Sequence, residues 1–248
     1  VKVVNKGIHK LTVEYFADGN VRRRELYFAG IDNDTEDNEW KVSTYDADWA
    51  LSRTDNKKTY GDGTVYESGY FEFETTGFNL WLNADSGSFM NKLIKLDKDN
   101  PRADIIVEVY KTPHGTWEDR TTNCLAQLGV TMRESDTPES KNVTFRWGDA
   151  RPFTWRSDDS GTYSYIGTNV GEESYQWLRI IRNGNEFTGY YKVNEQDEWI
   201  CAGTCTVDMS ADMYVGISGY SNTADSKIVS GIGKVTVKTG NEIGEGIE

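Results

Sequence analysis

The chain is short of cations, histidine, cysteine, proline and apolar runs, and each shortage excludes something. No apolar stretch among its 248 residues approaches the roughly 18 that a membrane-spanning helix needs. Lys and Arg number 27 against 40 Asp and Glu. The resulting formal charge of −13 disfavours nucleic acid and anionic membrane as partners, and it suits a dissolved secreted or cell-surface protein. The two histidines, His9 and His114, flank turns, so a Ser/His/Asp triad has no support beyond the presence of those residue types. The three cysteines are Cys124, Cys201 and Cys205, and their spacing is not that of a zinc knuckle. On a straight strand Cys201 and Cys205 lie roughly 13 Å apart, beyond the roughly 4.4–6.8 Å between Cα atoms that a disulfide spans. Buried free thiols are therefore expected. No signal-peptide pattern occurs, and the start at Val1 reads as a trimmed or mature fragment; membership of a larger multidomain secreted protein is expected.

What is present points to strands. Glycine (24), tyrosine (14) and tryptophan (8) are plentiful, against 4 prolines and no convincing helical pattern. "GIHKLTVEYFADGNVRRRELYFAG" reads as a hairpin turning at Asp18-Gly19-Asn20. An acidic loop follows, in which Asp32, Asp34 and Asp37 supply hard oxygens suited to a structural Ca²⁺ ion, although the full calcium-loop pattern is absent. From Trp40 onward short strands alternate with turn signals. They are predicted at 40–45, 65–75, 78–84, 89–96, 103–111, 125–134, 141–148, 152–157, 162–168, 175–183, 185–193, 198–207, 212–220 and 228–238. Asn183-Gly184 is the strongest hairpin signal in the chain. The expected fold is all-β: a two-sheet antiparallel β-sandwich of jelly-roll type over 39–238. A hairpin and acidic loop precede it at 1–38, and a linker follows at 239–248.

Alternation assigns faces. Val130 and Met132, Val143 and Phe145, Phe153 and Trp155, and Leu178 and Ile180 share a core side. The opposite side carries Thr131 and Arg133, Thr144 and Arg146, Thr154 and Arg156, then Trp177, Arg179 and Ile181. If these strands are neighbours, the result is one Thr/Arg ladder ending at Trp177. Arginine forks donate paired hydrogen bonds to hydroxyls or carboxylates. Trp177, Tyr190 and Trp81 would supply stacking planes for sugar rings. Arg133, Arg146, Arg156, Trp177, Arg179, Tyr190 and Trp81 are thus the candidate ligand residues, and the ladder points to acidic or heavily hydroxylated glycans such as pectin or decorated xylan. The alternative is that the arginines pair with carboxylates across a solvated surface.

"LGVTMRESDTPESKNVTFRWG" with "YQWLRIIRNGNEFTGYY" resembles the concanavalin A-like jelly-roll domains of the regulation-of-enolase type. These are similar to the C-terminal domains of bacterial β-xylosidases and to accessory modules of secreted polysaccharide-degrading enzymes. The residues that carry the resemblance are Gly129, Met132, Arg133, Ser135, Trp155, Arg156, Trp177, Leu178, Arg179, Arg182, Gly184, Asn185, Tyr190, Tyr191 and Trp199. It covers roughly 77–237, and the first seventy or so residues have no clear counterpart. The first hairpin looks like the last hairpin of PA14-type sugar-binding modules. The resemblance implies a secreted or cell-surface bacterial protein, monomeric, acting on polysaccharide.

Catalytic patterns of related jelly rolls are missing. Retaining glucanases of this fold carry a Glu-x-Asp-x-Glu strand, and "EQDE" at 195–198 comes nearest but falls in a turn. Jelly-roll alginate lyases carry a Gln-x-His strand, and none occurs. The leading expectation is a noncatalytic carbohydrate-binding module that recognises a plant cell-wall polysaccharide and targets an attached enzyme. The alternatives are a polysaccharide-degrading lyase or glycoside hydrolase, which would use Tyr and Arg or paired carboxylates, and a cell-surface spacer.

Overall fold

Alternating apolar residues on short strands demand a partner sheet, and the computed structural model supplies it. It describes residues 7–17, 20–30, 40–46, 59–65, 71–80, 82–111, 127–147, 151–167 and 176–243. Strands β1 (Gly7–Ala17) and β2 (Asn20–Gly30) form the expected hairpin as a separate two-stranded sheet. The remaining strands are β3 (Lys41–Asp46), β4 (Gly61–Val65), β5 (Phe71–Gly77), β6 (Ser86–Ile94), β7 (Arg102–Lys111), β8 (Gln127–Arg133) and β9 (Asn142–Trp147), followed by β10 (Phe153–Arg156), β11 (Tyr163–Ile166), β12 (Trp177–Asn183), β13 (Glu186–Lys192), β14 (Ile200–Thr206), β15 (Met213–Tyr220) and β16 (Thr223–Thr239). They build two seven-stranded sheets, ordered β11-β10-β9-β8-β15-β6-β3 and β14-β13-β12-β7-β16-β5-β4. Every pairing between strands is antiparallel. The protein is a jelly-roll sandwich.

The core lies between the sheets. Val130, Met132, Val143, Phe145 and Phe153 from the first sheet meet Ile105, Val107, Leu178, Ile180 and Phe187 from the second. Burying a side chain of this kind stabilises by about 1.5–3 kcal/mol, so this layer dominates the fold's energetics. A smaller cluster of Tyr45, Leu80, Phe89 and Tyr220 sits apart from it.

Three local expectations are corrected. The stretch 65–75 is not one strand but parts of β4 and β5. The alternation at 78–84 belongs to a connecting loop, with a lone bridge from Asn79 to Ser86 and with Leu80 buried in the smaller cluster. Beyond β16, Gly240–Glu242 form a 3-10 turn, and Ile243 is buried where linker was expected. Asp32, Asp34, Asp37, Trp81, His114 and Cys124 lie outside the described residues. Among the described residues, no group of three or more His, Cys, Asp or Glu could hold a metal ion, and no helix is long and apolar enough to cross a membrane.

Candidate functional site: a cleft on an arginine-braced sheet face

The Thr/Arg ladder exists on three adjacent strands. Thr131 lies opposite Thr144, and Thr144 opposite Thr154. Their hydroxyls link across the sheet, from Ser218 Oγ to Thr131 Oγ1 at 2.6 Å and on to Thr144 Oγ1 at 3.1 Å. Arg133, Arg146 and Arg156 share this outer face but are 2%, 4% and 0% exposed. They are not an open binding surface.

Each guanidinium grips a loop laid over the sheet. Arg133 donates to Asp85 Oδ2 at 2.5 Å and to the Thr137 carbonyl. Arg156 donates to Asp85 Oδ1 at 2.7 Å, to the carbonyls of Pro138 (2.9 Å) and Ser140 (3.0 Å), and to that of Leu82. Arg146 donates to Gln127 Oε1 and to the Leu80 carbonyl, both at 3.3 Å. The arginines thus brace two loops, 78–85 and 134–141, against the sheet, with the buried Asp85 carboxylate shared by two of them. Stacking adds to the bracing. Arg133 lies over the Tyr45 ring at 4.7 Å, and Arg156 over Tyr163 at 4.8 Å.

The fourth ladder arginine is elsewhere. Trp177 and Arg179 belong to β12 in the second sheet, so no continuous face joins them to Arg146. Arg179 makes a two-pronged pair with Asp104, at 2.8 and 2.7 Å. Its guanidinium lies over the rings of Tyr190 (5.9 Å) and Trp199 (5.3 Å). Lys192 Nζ lies 5.3 Å from the Trp177 ring and 4.9 Å from that of Trp199. This is a self-satisfied patch of cations and aromatic rings. Arg182, on the core side of the same strand, is also buried, donating to the carbonyls of Gly184, Met209 and Ser210. Burial lowers its pKa to about 10.

Where the braced loops end, a cleft of about 650 Å³ opens on the outer face of the first sheet. Of the candidate ligand residues that are described, only Arg146 lines it. The rest of the lining includes Gln127, Arg151, Thr154, Tyr163, Tyr165, Tyr220 and the amides Asn79, Asn83 and Asn222. Among the described lining residues there is no carboxylate and no histidine. In a chain of charge −13, this concentrates hydrogen-bond donors and two cations where a hydroxyl-rich or anionic ligand would sit. Tyr163 donates to Asn142 Oδ1 at 2.7 Å. Burial, then the Asp85 charge, pushes its hydroxyl pKa up against the opposing pull of Arg156, Arg146 and Arg133. Tyr163 is accordingly a protonated phenol. A detectable signal for this wall was the alternation in "TYSYI" directly after "FTWR" and a turn. The hairpin register sets Tyr165 beside Thr154 and Tyr163 beside Arg156. Gln127, Tyr220 and the asparagines carried no such signal.

No protein-family model matches the chain, and no curated protein matches it. Solved structures of similar fold do match. A functionally unknown protein from Saccharomyces cerevisiae is 13% identical, over 73% of this chain and 96% of that one, with a TM-score of 0.49. A xylan β-1,4-xylosidase from Bacillus halodurans is 12% identical, over 89% of this chain and 42% of that one, with a TM-score of 0.48. The chain therefore spans less than half the length of that xylosidase. An alginate lyase from Klebsiella pneumoniae is 10% identical, over 84% and 98% of the two chains, with a TM-score of 0.42. At such identities the likeness is one of fold. These likenesses do not confirm the specific regulation-of-enolase type. The expectation that the chain is not an enzyme is corrected here: enzymes that degrade polysaccharides, xylosidase and alginate lyase, are among the solved structures it is similar to.

Proposed function

We propose that this chain is a polysaccharide-degrading enzyme that works at the cleft over β8–β11, on an acidic glycan and by elimination rather than hydrolysis. The observation that supports this reading is the lining itself, whose described residues include Arg146, Arg151, Gln127 and three tyrosines and no carboxylate. Hydrolysis by the usual route needs two carboxyl groups flanking the scissile bond, about 5–5.5 Å or 6.5–9.5 Å apart. Elimination needs different groups. A base, the phenolate of a lining tyrosine or a solvent water, takes the proton from the sugar carbon next to a uronate carboxylate, the electron pair left behind forms a carbon–carbon double bond, and the glycosidic C–O bond breaks. The departing oxygen takes a proton. Cation and amide donors such as Arg146 and Gln127 favour the charge that builds on the carboxylate. The hydroxyl of a lining tyrosine supplies the proton to the leaving oxygen. The reading extends to an extracellular setting within a larger polysaccharide-directed protein.

The test is incubation with polygalacturonate, alginate and xylan, followed by ultraviolet absorbance of unsaturated ends and by a reducing-end assay. Both signals rising together on an acidic glycan is the expected result. Reducing ends without unsaturation would overturn elimination, and neither signal on any glycan would overturn the enzyme reading.

A further inference from the structure

We infer that Tyr165 and Arg151 form a subsite that holds one acidic sugar unit at the rim of the cleft, an inference that rests on reading the cleft as a polysaccharide site. Tyr165 lies on β11, the edge strand of the first sheet. It is 50% exposed, the most exposed of the large hydrophobic side chains among the described residues. A tyrosine ring left open this way forfeits apolar burial that the core could have supplied. Single exposed aromatics are common on protein surfaces. What sets this one apart is its company. The Arg151 guanidinium lies 4.5 Å from its ring centroid, and both residues line the cleft. The strand ladder fixes where the ring leaves the sheet, because Tyr165 pairs across the strands with Thr154, which also lines the cleft.

The pair combines two complementary features, an aromatic ring and a guanidinium that lies over one face of it. A pyranose ring has an apolar C–H face, which an aromatic plane covers while hydroxyls stay in water. A uronate adds a carboxylate at the edge of its C–H face, and the arginine stacked on the aromatic ring donates a charge-assisted hydrogen bond to it. A neutral sugar uses only the aromatic plane. The subsite therefore gains affinity from stacking and discriminates through charge. It acts on binding, gripping a unit of the chain beside the one that reacts.

Affinity electrophoresis tests this without any need for turnover. Native gels containing polygalacturonate, alginate or the neutral mixed-linkage β-glucan are run with wild type, Tyr165→Phe, Tyr165→Ala and Arg151→Gln. Expected is retardation of wild type by an acidic glycan, kept in Tyr165→Phe and weakened about tenfold in Tyr165→Ala. In Arg151→Gln, binding to the acidic glycan should fall towards the strength seen with β-glucan. Wild type that is not retarded, Tyr165→Ala that binds like wild type, or Arg151→Gln that keeps the acidic preference would each overturn the subsite. Product assays on the same glycans separate this from the enzyme reading. Retardation that depends on Tyr165, without product, leaves the subsite standing and removes the catalysis. Product with retardation unchanged in Tyr165→Ala does the reverse.

Discussion

Replacing Asp85 with asparagine should cost the fold more than any surface charge change. The side chain keeps its size, so no cavity opens, and the effect reports charge. Asp85 is completely buried, and its two oxygens take Arg133 at 2.5 Å and Arg156 at 2.7 Å, the arginines themselves 2% and 0% exposed. Removing one partner of a buried ion pair costs about 3–5 kcal/mol, because the other charge stays in a low dielectric without compensation. Here two cations lose the same partner. Each keeps carbonyl acceptors, Arg133 at Thr137 and Arg156 at Leu82, Pro138 and Ser140, which holds the loss within that range. For a chain of this size a destabilisation of about 3–5 kcal/mol lowers Tm by roughly 6–20 °C. Urea unfolding gives the free energy and calorimetry the Tm. Adding Arg156→Met to Asp85→Asn should recover part of the loss, since it removes one stranded cation. A change below about 1 kcal/mol in Asp85→Asn would refute the idea that this carboxylate holds the two loops on the sheet.

Two further outcomes follow from charge and burial. Glu134 has its pKa lowered. Partial burial pushes it up, but the N–H and hydroxyl of Ser210, together with Lys141, outweigh that. A carboxylate with a depressed folded pKa stabilises above its unfolded value, about 4.5, and loses that stability as pH falls through the folded one. Glu134→Gln should therefore be less stable than wild type at neutral pH, with the difference vanishing in acid, as melting curves across pH 7 to about 3 will show. Burial pushes the Cys205 thiol up to about 12, while Cys201 is exposed. A maleimide applied to the native protein should label Cys201 and spare Cys205, and peptide mapping that found Cys205 labelled would contradict its placement.

Period-two alternation made the core legible, because each strand has one wet and one dry face. It placed Val130, Met132, Phe145, Leu178 and Ile180 on the buried side, where they lie. Alternation says which residues share a face of one strand but not which sheet that strand joins. For that reason Arg179 read as a continuation of Arg133, Arg146 and Arg156. The carboxylate that explains two of those arginines was hidden because Asp85 comes from a loop 71 positions away from Arg156. The cysteines show the same limit. On a straight strand Cys201 and Cys205 share a face. A bulge at Ala202, where the register with β13 shifts between Gly189 and Tyr190, leaves Cys201 exposed and Cys205 buried. The cleft was least legible, since its wall is assembled from residues as far apart as Asn79 and Asn222.

The most direct test of where function resides compares two arginines that the sequence makes look alike. Initial rates on an acidic glycan, read as unsaturated product, are measured for Arg146→Gln and Arg179→Gln, with circular dichroism confirming the fold of each. Arg146 lines the cleft, whereas Arg179 is spent on Asp104 in the other sheet. The account predicts a rate loss of about a hundredfold or more for Arg146→Gln, as when one transition-state donor is removed. It predicts a near-wild-type rate with lowered stability for Arg179→Gln. Equal losses of rate, or a loss confined to Arg179→Gln in a folded protein, would contradict it.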